Sequence, residues 1–352
     1  MHNDLSDIVG LAVGHAEDER LASGVSAIVF GQPAVASVCV LGGAPGGRDT
    51  GLLEPEMTVE TVDAILLSGG SAFGLDAAGG AQAALAAAGR GFAVGPVRVP
   101  IVPQAILFDL LNGGDKNWGS RPPYWDLGRL AAERALAGHD ASLGSVGAGL
   151  GATTANLKGG IGAASAETRA GLRIAALMVV NAIGTATMGD SPHFWAAPYE
   201  RNGEFGGRGW PSNLATADLK LRVKGHAAEP ATTIGIVVTD ARLSKSQARR
   251  LAIMAQDGLA RAIRPAHAPM DGDTIFAAGT GEKPLGDPMP NLTELGMLAG
   301  DCVARAIARG IHEAKALSFP GSLPDWKSRF ALERDRFFFL PTGDPLAGKC
   351  SS

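Results

Sequence analysis

Short apolar runs broken by glycine and proline alternate along this chain with longer stretches in which apolar residues recur every three or four positions. Residues 26–30 and 36–41 are apolar runs bounded by Gly and Pro, and they predict two strands. A glycine-rich loop over 42–50 follows. Residues 62–67 predict a third strand, which runs through Ser68-Gly69-Gly70-Ser71 into an alanine-rich helix over 75–88 that Gly89 can end. Residues 127–137 predict another helix, and 146–162 is Gly-rich with little period of its own. A strongly apolar strand over 173–180 stops at Asn181. Residues 189–221 are polar and irregular, and 224–229 continue that exposed character. A β-rich run over 232–239 comes next.

Ser244 then caps a helix carrying Leu251, Ile253, Met254, Leu259 and Ile263. Residues 275–278 predict a further strand, and a long amphipathic helix carries Leu292, Leu295, Leu298, Cys302, Val303, Ala306 and Ile307. The tail from Phe319 holds Phe337-Phe338-Phe339-Leu340 among prolines and charges and follows neither period. Alternating strands and helices predict an α/β protein layered around a mixed sheet.

Composition sharpens this picture. The 352 residues are 46% hydrophobic but only 5% aromatic, with 49 glycines, which favours close backbone approach over bulky cores. A net charge of −4 gives no long-range attraction for nucleic acid or anionic lipid. Cys39, Cys302 and Cys350 lie far apart, with neither metal-ligand spacing nor a disulfide framework. The first residues lack the basic and apolar regions of a signal peptide, and the apolar stretches are too interrupted to span a bilayer. A soluble cytoplasmic protein is the expectation.

Thr232 has two readings. Thr is a good strand residue, so a structural role needs no further cause. The functional reading makes it a nucleophile. An N-terminal threonine can attack a carbonyl because its own α-amine takes the hydroxyl proton. An internal threonine has no such amine, so the chain would first have to be cut between Ala231 and Thr232. The preceding loop reads as exposed enough for a cut, and the strand after it would hold the new terminus.

Five segments bear on that choice. Ala231-Thr232-Thr233-Ile234-Gly235-Ile236-Val237-Val238-Thr239-Asp240, the stretches 39–55 and 144–162, Leu67-Ser68-Gly69-Gly70-Ser71-Ala72-Phe73-Gly74-Leu75-Asp76 and Met270-Asp271-Gly272-Asp273-Thr274-Ile275-Phe276 resemble signature segments of the L-aminopeptidase/D-esterase family, in the family's order along the chain. That family includes β-aminopeptidases and nylon-oligomer hydrolases. The resemblance runs from about residue 7 to 317, which sets 1–317 as one self-processing domain and leaves 318–352 as a C-terminal extension. It implies a four-layer αββα sandwich, like that of N-terminal-nucleophile hydrolases but with its own connectivity. It also implies two chains from one precursor, here 1–231 and 232–352, held together in a homo-oligomer. No cofactor is implied, and substrates would be small amides or esters with a free amine.

The same resemblance assigns roles. Asn181 matches the asparagine that donates to the oxyanion, although an Asn can also simply turn the chain at a strand end. Asp271 and Asp273 match a pair that orients the nucleophile and its amine; as a bare motif they read as a solvated turn. Lys158 matches a family lysine, while some members place theirs where this chain has Asn156, and a structural ion pair is the alternative for Lys158. Ala231 stands where Asn or Gly is common before the cut, and Phe108 where some members use a tyrosine. Ser68, Gly69 and Gly70 form a candidate anion nest, but without a P-loop lysine they match no nucleotide motif; their N–H groups would instead line the substrate pocket or support the oxyanion. His15 and His267 lack ligand partners at i+4 and read as structural. Two rivals remain: an uncleaved ligand-binding homologue, separated by whether a denaturing gel shows one band or two, and an acyltransferase of ornithine-acetyltransferase type, which would transfer acetyl to an amino-acid acceptor.

Overall fold

A computed structural model describes residues 1–225 and 230–330. The strands are β1 (Leu11–Asp18), β2 (Ser23–Val40), β3 (Gly47–Arg48), β4 (Thr61–Ser68), β5 (Phe92–Val94), β6 (Val97–Val99), β7 (Gln104–Ile106), β8 (Gly160–Glu167), β9 (Arg173–Asn181), β10 (Thr232–Ala241) and β11 (Thr274–Lys283). The helices are α1 (Ala77–Ala87), α2 (Tyr124–Ala137), α3 (Lys245–Ala255), α4 (Asp257–Ala262), α5 (Pro288–Glu313) and α6 (Trp326–Phe330). Where two strands were expected, β2 is one strand of 18 residues. Gly31, Gln32 and Pro33 are exposed, and the register against β4 shifts between Val29 and Ala34. The apparent break is a bulge at a solvent-facing bend, where proline costs no ladder bond.

That long strand organises the layers. The order β3-β7-β4-β2-β11-β10-β9-β8, with β1 also paired to β2, is a single path, yet it packs as two sheets. Ile234, Ile236 and Val238 of β10, with Leu177 and Val179 of β9, face Ile28, Ile65 and Leu67 of β2 and β4. Val237, Met178 and Val180 point the other way, to Leu251, Val303 and Ile307 of α3 and α5. On the far side, Val25, Ala27 and Leu66 meet Ala81, Leu85 and Ala131 of α1 and α2. This is the expected αββα sandwich, and alternation along each strand generates it.

Helix α5 is fixed both at its start and along its length. Asp287 caps it by accepting the Met289 N–H, Pro288 occupies its first turn, and Leu295, Leu298, Ala299, Cys302, Val303 and Ala306 are buried at helical spacing. It lies so close to β8 that a Cβ on Gly162 would come within 2.0 Å of the Ala306 carbonyl oxygen, so only glycine fits there. Trp326 and Phe330 of α6 join the same apolar cluster as α5. Phe337, Phe338, Phe339, Leu340 and Cys350 lie outside the described residues.

Arg305, 2% exposed, staples this helix to the rest. Its guanidinium donates to both Glu204 carboxylate oxygens at 2.6 and 3.0 Å, to the Ser165 carbonyl at 2.9 Å and to Asn3 Oδ1 at 2.7 Å. Burial alone would raise the Glu204 carboxyl, but the hydrogen bonds and charge of Arg305 reverse this and hold it below its ordinary value. Arg305→Met would leave that carboxylate the longer Arg309 contact at 3.6 Å and the Asn3 amide, and would take the guanidinium from the Ser165 carbonyl and Asn3 Oδ1. Chemical denaturation should show a loss of roughly 3–5 kcal/mol; a loss under about 1 kcal/mol, the range of exposed pairs, would mean the staple carries no stability.

Candidate active site

The site forms where β9, β10 and the turn before β11 meet. Thr232, the first residue of β10, lies directly opposite Asn181, the last residue of β9, in an antiparallel pair. On its other edge β10 runs parallel to β11, and one step upstream Ala231 bridges Asp271 in the same parallel sense. The Ala231 N–H donates to the Met270 carbonyl at 3.2 Å, and the Gly272 N–H donates to the Ala231 carbonyl oxygen at 2.9 Å. The Thr232 hydroxyl also donates to that oxygen. A Cβ on Gly272 would stand 2.8 Å from Thr232 Oγ1, so this approach requires glycine. The Gly272 N–H and the Thr232 hydroxyl thus converge on one oxygen, that of the Ala231 carbonyl.

The junction is not the exposed loop that polarity along the sequence suggested. Ala231 is 1% exposed and Thr232 4%, because the 270–272 segment covers them. Residues 226–229 lie outside the described residues.

Asp273 is fully engaged. Its Oδ1 accepts the Thr233 N–H at 2.8 Å, and its Oδ2 accepts both the backbone N–H and Nδ1 of His267 at 2.9 Å. Asp271 is buried beside it, and its Oδ1 has no hydrogen-bond partner among the described residues. Burial, then the Asp273 charge and the hydrogen bond between the two carboxyls, push Asp271 well above its ordinary value. Lys224 and the Ala268 backbone oppose this but do not cancel it. The upward shift favours the protonated form of the Asp271 carboxyl.

The Asn181 amide is held from both sides. Its Nδ2 donates to the Phe108 carbonyl at 2.8 Å, which leaves the second Nδ2 hydrogen for another acceptor. Its Oδ1 accepts from the Thr153 N–H at 3.0 Å and from Lys224 Nζ at 2.9 Å. Phe108 thus enters the site through its backbone. Lys224, expected in an exposed stretch, is buried. A cavity of about 410 Å³ opens next to this cluster, lined by Thr153, Thr154 and Lys224, with Leu317 and Leu323 also on its wall.

Other expected residues do not join the cluster. Lys158 Nζ is spent on the carbonyls of Gly149, Ala152 and Gly159 at 2.8–3.0 Å, and burial pulls its ammonium down to about 7. It binds a loop together and lines the same cavity as Thr153, Thr154 and Lys224. Asn156 is likewise buried, bonded to Thr154 and Thr187. The N–H groups of Gly69, Gly70 and Ser71 go to the Gly24 carbonyl, Asp109 Oδ1 and the Leu107 carbonyl, while the Ser68 hydroxyl donates to the Gly69 carbonyl. The nest is closed on itself and offers no donor to a ligand or oxyanion. The sequence reading of His267 as structural missed its bond to Asp273, and Lys224 and the N–H of Gly272 went unremarked. Only Gly272 carried a signal, as the small residue between two acids.

Comparison with known proteins follows the same outline. A sequence profile of peptidase family S58 matches residues 3–322. A Mycobacterium tuberculosis protein named as an uncharacterized aminopeptidase is 40% identical over 348 residues, covering 93% of this chain and 98% of its own. The 6-aminohexanoate-oligomer endohydrolase of Paenarthrobacter ureafaciens is 28% identical over 320 residues, covering 86% of this chain and 84% of its own. The solved β-aminopeptidase of Burkholderia sp. superposes with a TM-score of 0.65 at 21% identity, over 97% of this chain and 96% of that one. For the L-aminopeptidase D-Ala-esterase/amidase of Ochrobactrum anthropi the TM-score is 0.66 at 19% identity, over 96% and 94%. The two solved structures share the fold; the profile and the 40% relative go further, and by them the chain belongs to peptidase family S58 and is a hydrolase of amide bonds.

Proposed function

We propose that the chain cuts itself between Ala231 and Thr232 and then acts as an N-terminal-threonine aminopeptidase or amidase on small amino-terminated amides. One observation carries this reading: the Ala231 carbonyl oxygen is bound by the Gly272 N–H while the Thr232 hydroxyl lies against the same group. Burial of the junction supports it further, since a peptide bond this enclosed is out of reach of an external protease.

In the cut, Thr232 Oγ bonds to the Ala231 carbonyl carbon, and Gly272 N–H stabilises the oxyanion. The C–N bond then breaks, the nitrogen leaving as the Thr232 amine with the proton from the hydroxyl. Water hydrolyses the resulting ester to an Ala231 carboxylate and a free hydroxyl. Strands β9 and β2 belong to the upstream fragment and pair with β10 and β11 of the downstream one, so the two fragments stay interlocked after the cut.

In turnover, the Thr232 amine takes the hydroxyl proton as Oγ attacks the substrate carbonyl, and it returns that proton to the leaving amine. The second Nδ2 hydrogen of Asn181 and the Gly272 N–H stabilise the oxyanion. Asp273 fixes the start of β10 through the Thr233 N–H, and Asp271 supplies a neutral carboxyl beside the new amine. A neutral carboxyl raises the amine's pKa less than a second carboxylate would, which keeps more amine in the basic form.

Intact mass under denaturing conditions should show two fragments, ending at Ala231 and beginning at Thr232, and Thr232→Ala should stay full length. Thr233→Val should process normally, since the Thr233 hydroxyl has no partner among the described residues. A smaller fragment starting elsewhere would overturn the assignment. In the processed enzyme, Asn181→Ala should lower kcat by roughly 10²–10³ with little change in KM.

Asp271 gives a pH test. Because its folded pKa is raised, the folded state holds a proton that the unfolded chain has already lost above the ordinary carboxylate range. Stability from this group is therefore full at acid pH and lost as pH climbs through the raised value. Asp271→Asn cannot ionise, so its Tm should gain on the wild type between ~pH 5 and ~pH 9. Parallel Tm curves would show that Asp271 is ionised throughout.

A further inference from the structure

We propose that Lys224 is a positioning residue that fixes and polarises the Asn181 amide, an inference that rests on the oxyanion role given to Asn181 above. Its Nζ donates to Asn181 Oδ1 at 2.9 Å and approaches the Asn181 carbonyl oxygen at 3.3 Å. An amide can flip by half a turn with little change in shape, and a flipped Asn181 would aim oxygen at the developing oxyanion. An ammonium on Oδ1 opposes the flip more strongly than the neutral Thr153 N–H and Phe108 carbonyl that share the task. It also draws electron density toward that oxygen, so the Nδ2 hydrogens become stronger donors to a negative acceptor.

Lys224 lies only seven residues upstream of Ala231, on the fragment that the proposed cut would end. Its own place does not depend on that bond. The Lys224 N–H donates to the Ile183 carbonyl at 2.8 Å, and two residues earlier Arg222 grips Asp190 through both carboxylate oxygens at 2.7 and 2.9 Å. These anchors all lie upstream of the junction, so Lys224 keeps its hold on Asn181 after the cut. The same charge opposes the upward shift of Asp271, so Lys224 acts on both the amide and the acidic pair. Lys158 has no comparable contact, because its three donors are used on backbone carbonyls.

A double-mutant cycle separates positioning from general structural support. Lys224→Met, Asn181→Ala and the double variant are assayed on a panel of aminoacyl p-nitroanilides, each after denaturing mass has confirmed complete processing. Lys224→Met should lower kcat about ten- to a hundredfold with KM nearly unchanged. In the Asn181→Ala background the same change should cost less than about twofold, because the residue it acts through is gone. Lys224→Gln, an uncharged donor that protects the fold if Lys224→Met is unstable, should fall between Lys224→Met and wild type. Full, additive loss in both backgrounds, or wild-type kcat in the processed Lys224 variants, overturns the proposal. Wild-type kcat in Asn181→Ala alone would instead remove the oxyanion role, and this inference with it.

Discussion

Everything in the site follows from the register of β10 between β9 and β11. Antiparallel pairing with β9 sets Thr232 opposite Asn181, and parallel pairing with β11 draws the 270–272 segment over Ala231. The register is held by Ile234, Ile236 and Val238, which face the inter-sheet layer, and by Val237, which faces the helices. A slip of one residue would exchange these side chains between the inter-sheet layer and the helix layer, and misfitted core side chains cost about 1–3 kcal/mol each. It would also bring Thr233 opposite Asn181. The core therefore fixes the position of the reactive hydroxyl more firmly than any contact of the hydroxyl itself.

Around this frame the charges are arranged in a graded series. Asp273 is satisfied by backbone and His267 donors, while burial and the neighbouring Asp273 push the Asp271 carboxyl above its ordinary value. Lys224 stands on the Asn181 side of the site and tempers Asp271. A buried group of this kind has a defined protonation state only because each member's partner is fixed by backbone pairing. His267 links the group outward, since its half-buried ring also lines a cavity of about 420 Å³ with Trp195, Trp210 and Arg264.

Much of this was legible in the sequence, and the exceptions have physical causes. The β-rich run of β10 reflects burial on both faces, while the helical spacing of α5 reflects one-sided burial, which periodicity reports directly. The break in β2 was misread because Gly31, Gln32 and Pro33 look like a turn, whereas they bulge out of a continuous strand. Thr232 pairs with Asn181, Ala231 bridges Asp271, and Asp273 accepts the Thr233 N–H, so strand pairing gathers these four residues. Residue type names a capacity, and at Lys158 and in the 68–70 nest neighbouring groups take up the donors. Lys224 was invisible for the opposite reason. Its partner Asn181 is 43 residues away, and a polar stretch gives no sign that one of its lysines turns inward.

The central claim is that Thr232 becomes an N-terminal nucleophile, and trapping the acyl-enzyme tests it most directly. Processed protein is mixed with an aminoacyl ester, quenched in acid within the turnover time, and the smaller fragment is digested and weighed. The account predicts that the acyl group's mass sits on the peptide beginning with Thr232, as an ester that hydroxylamine removes. An adduct on any other peptide, or a smaller fragment that does not begin at Thr232, would contradict it.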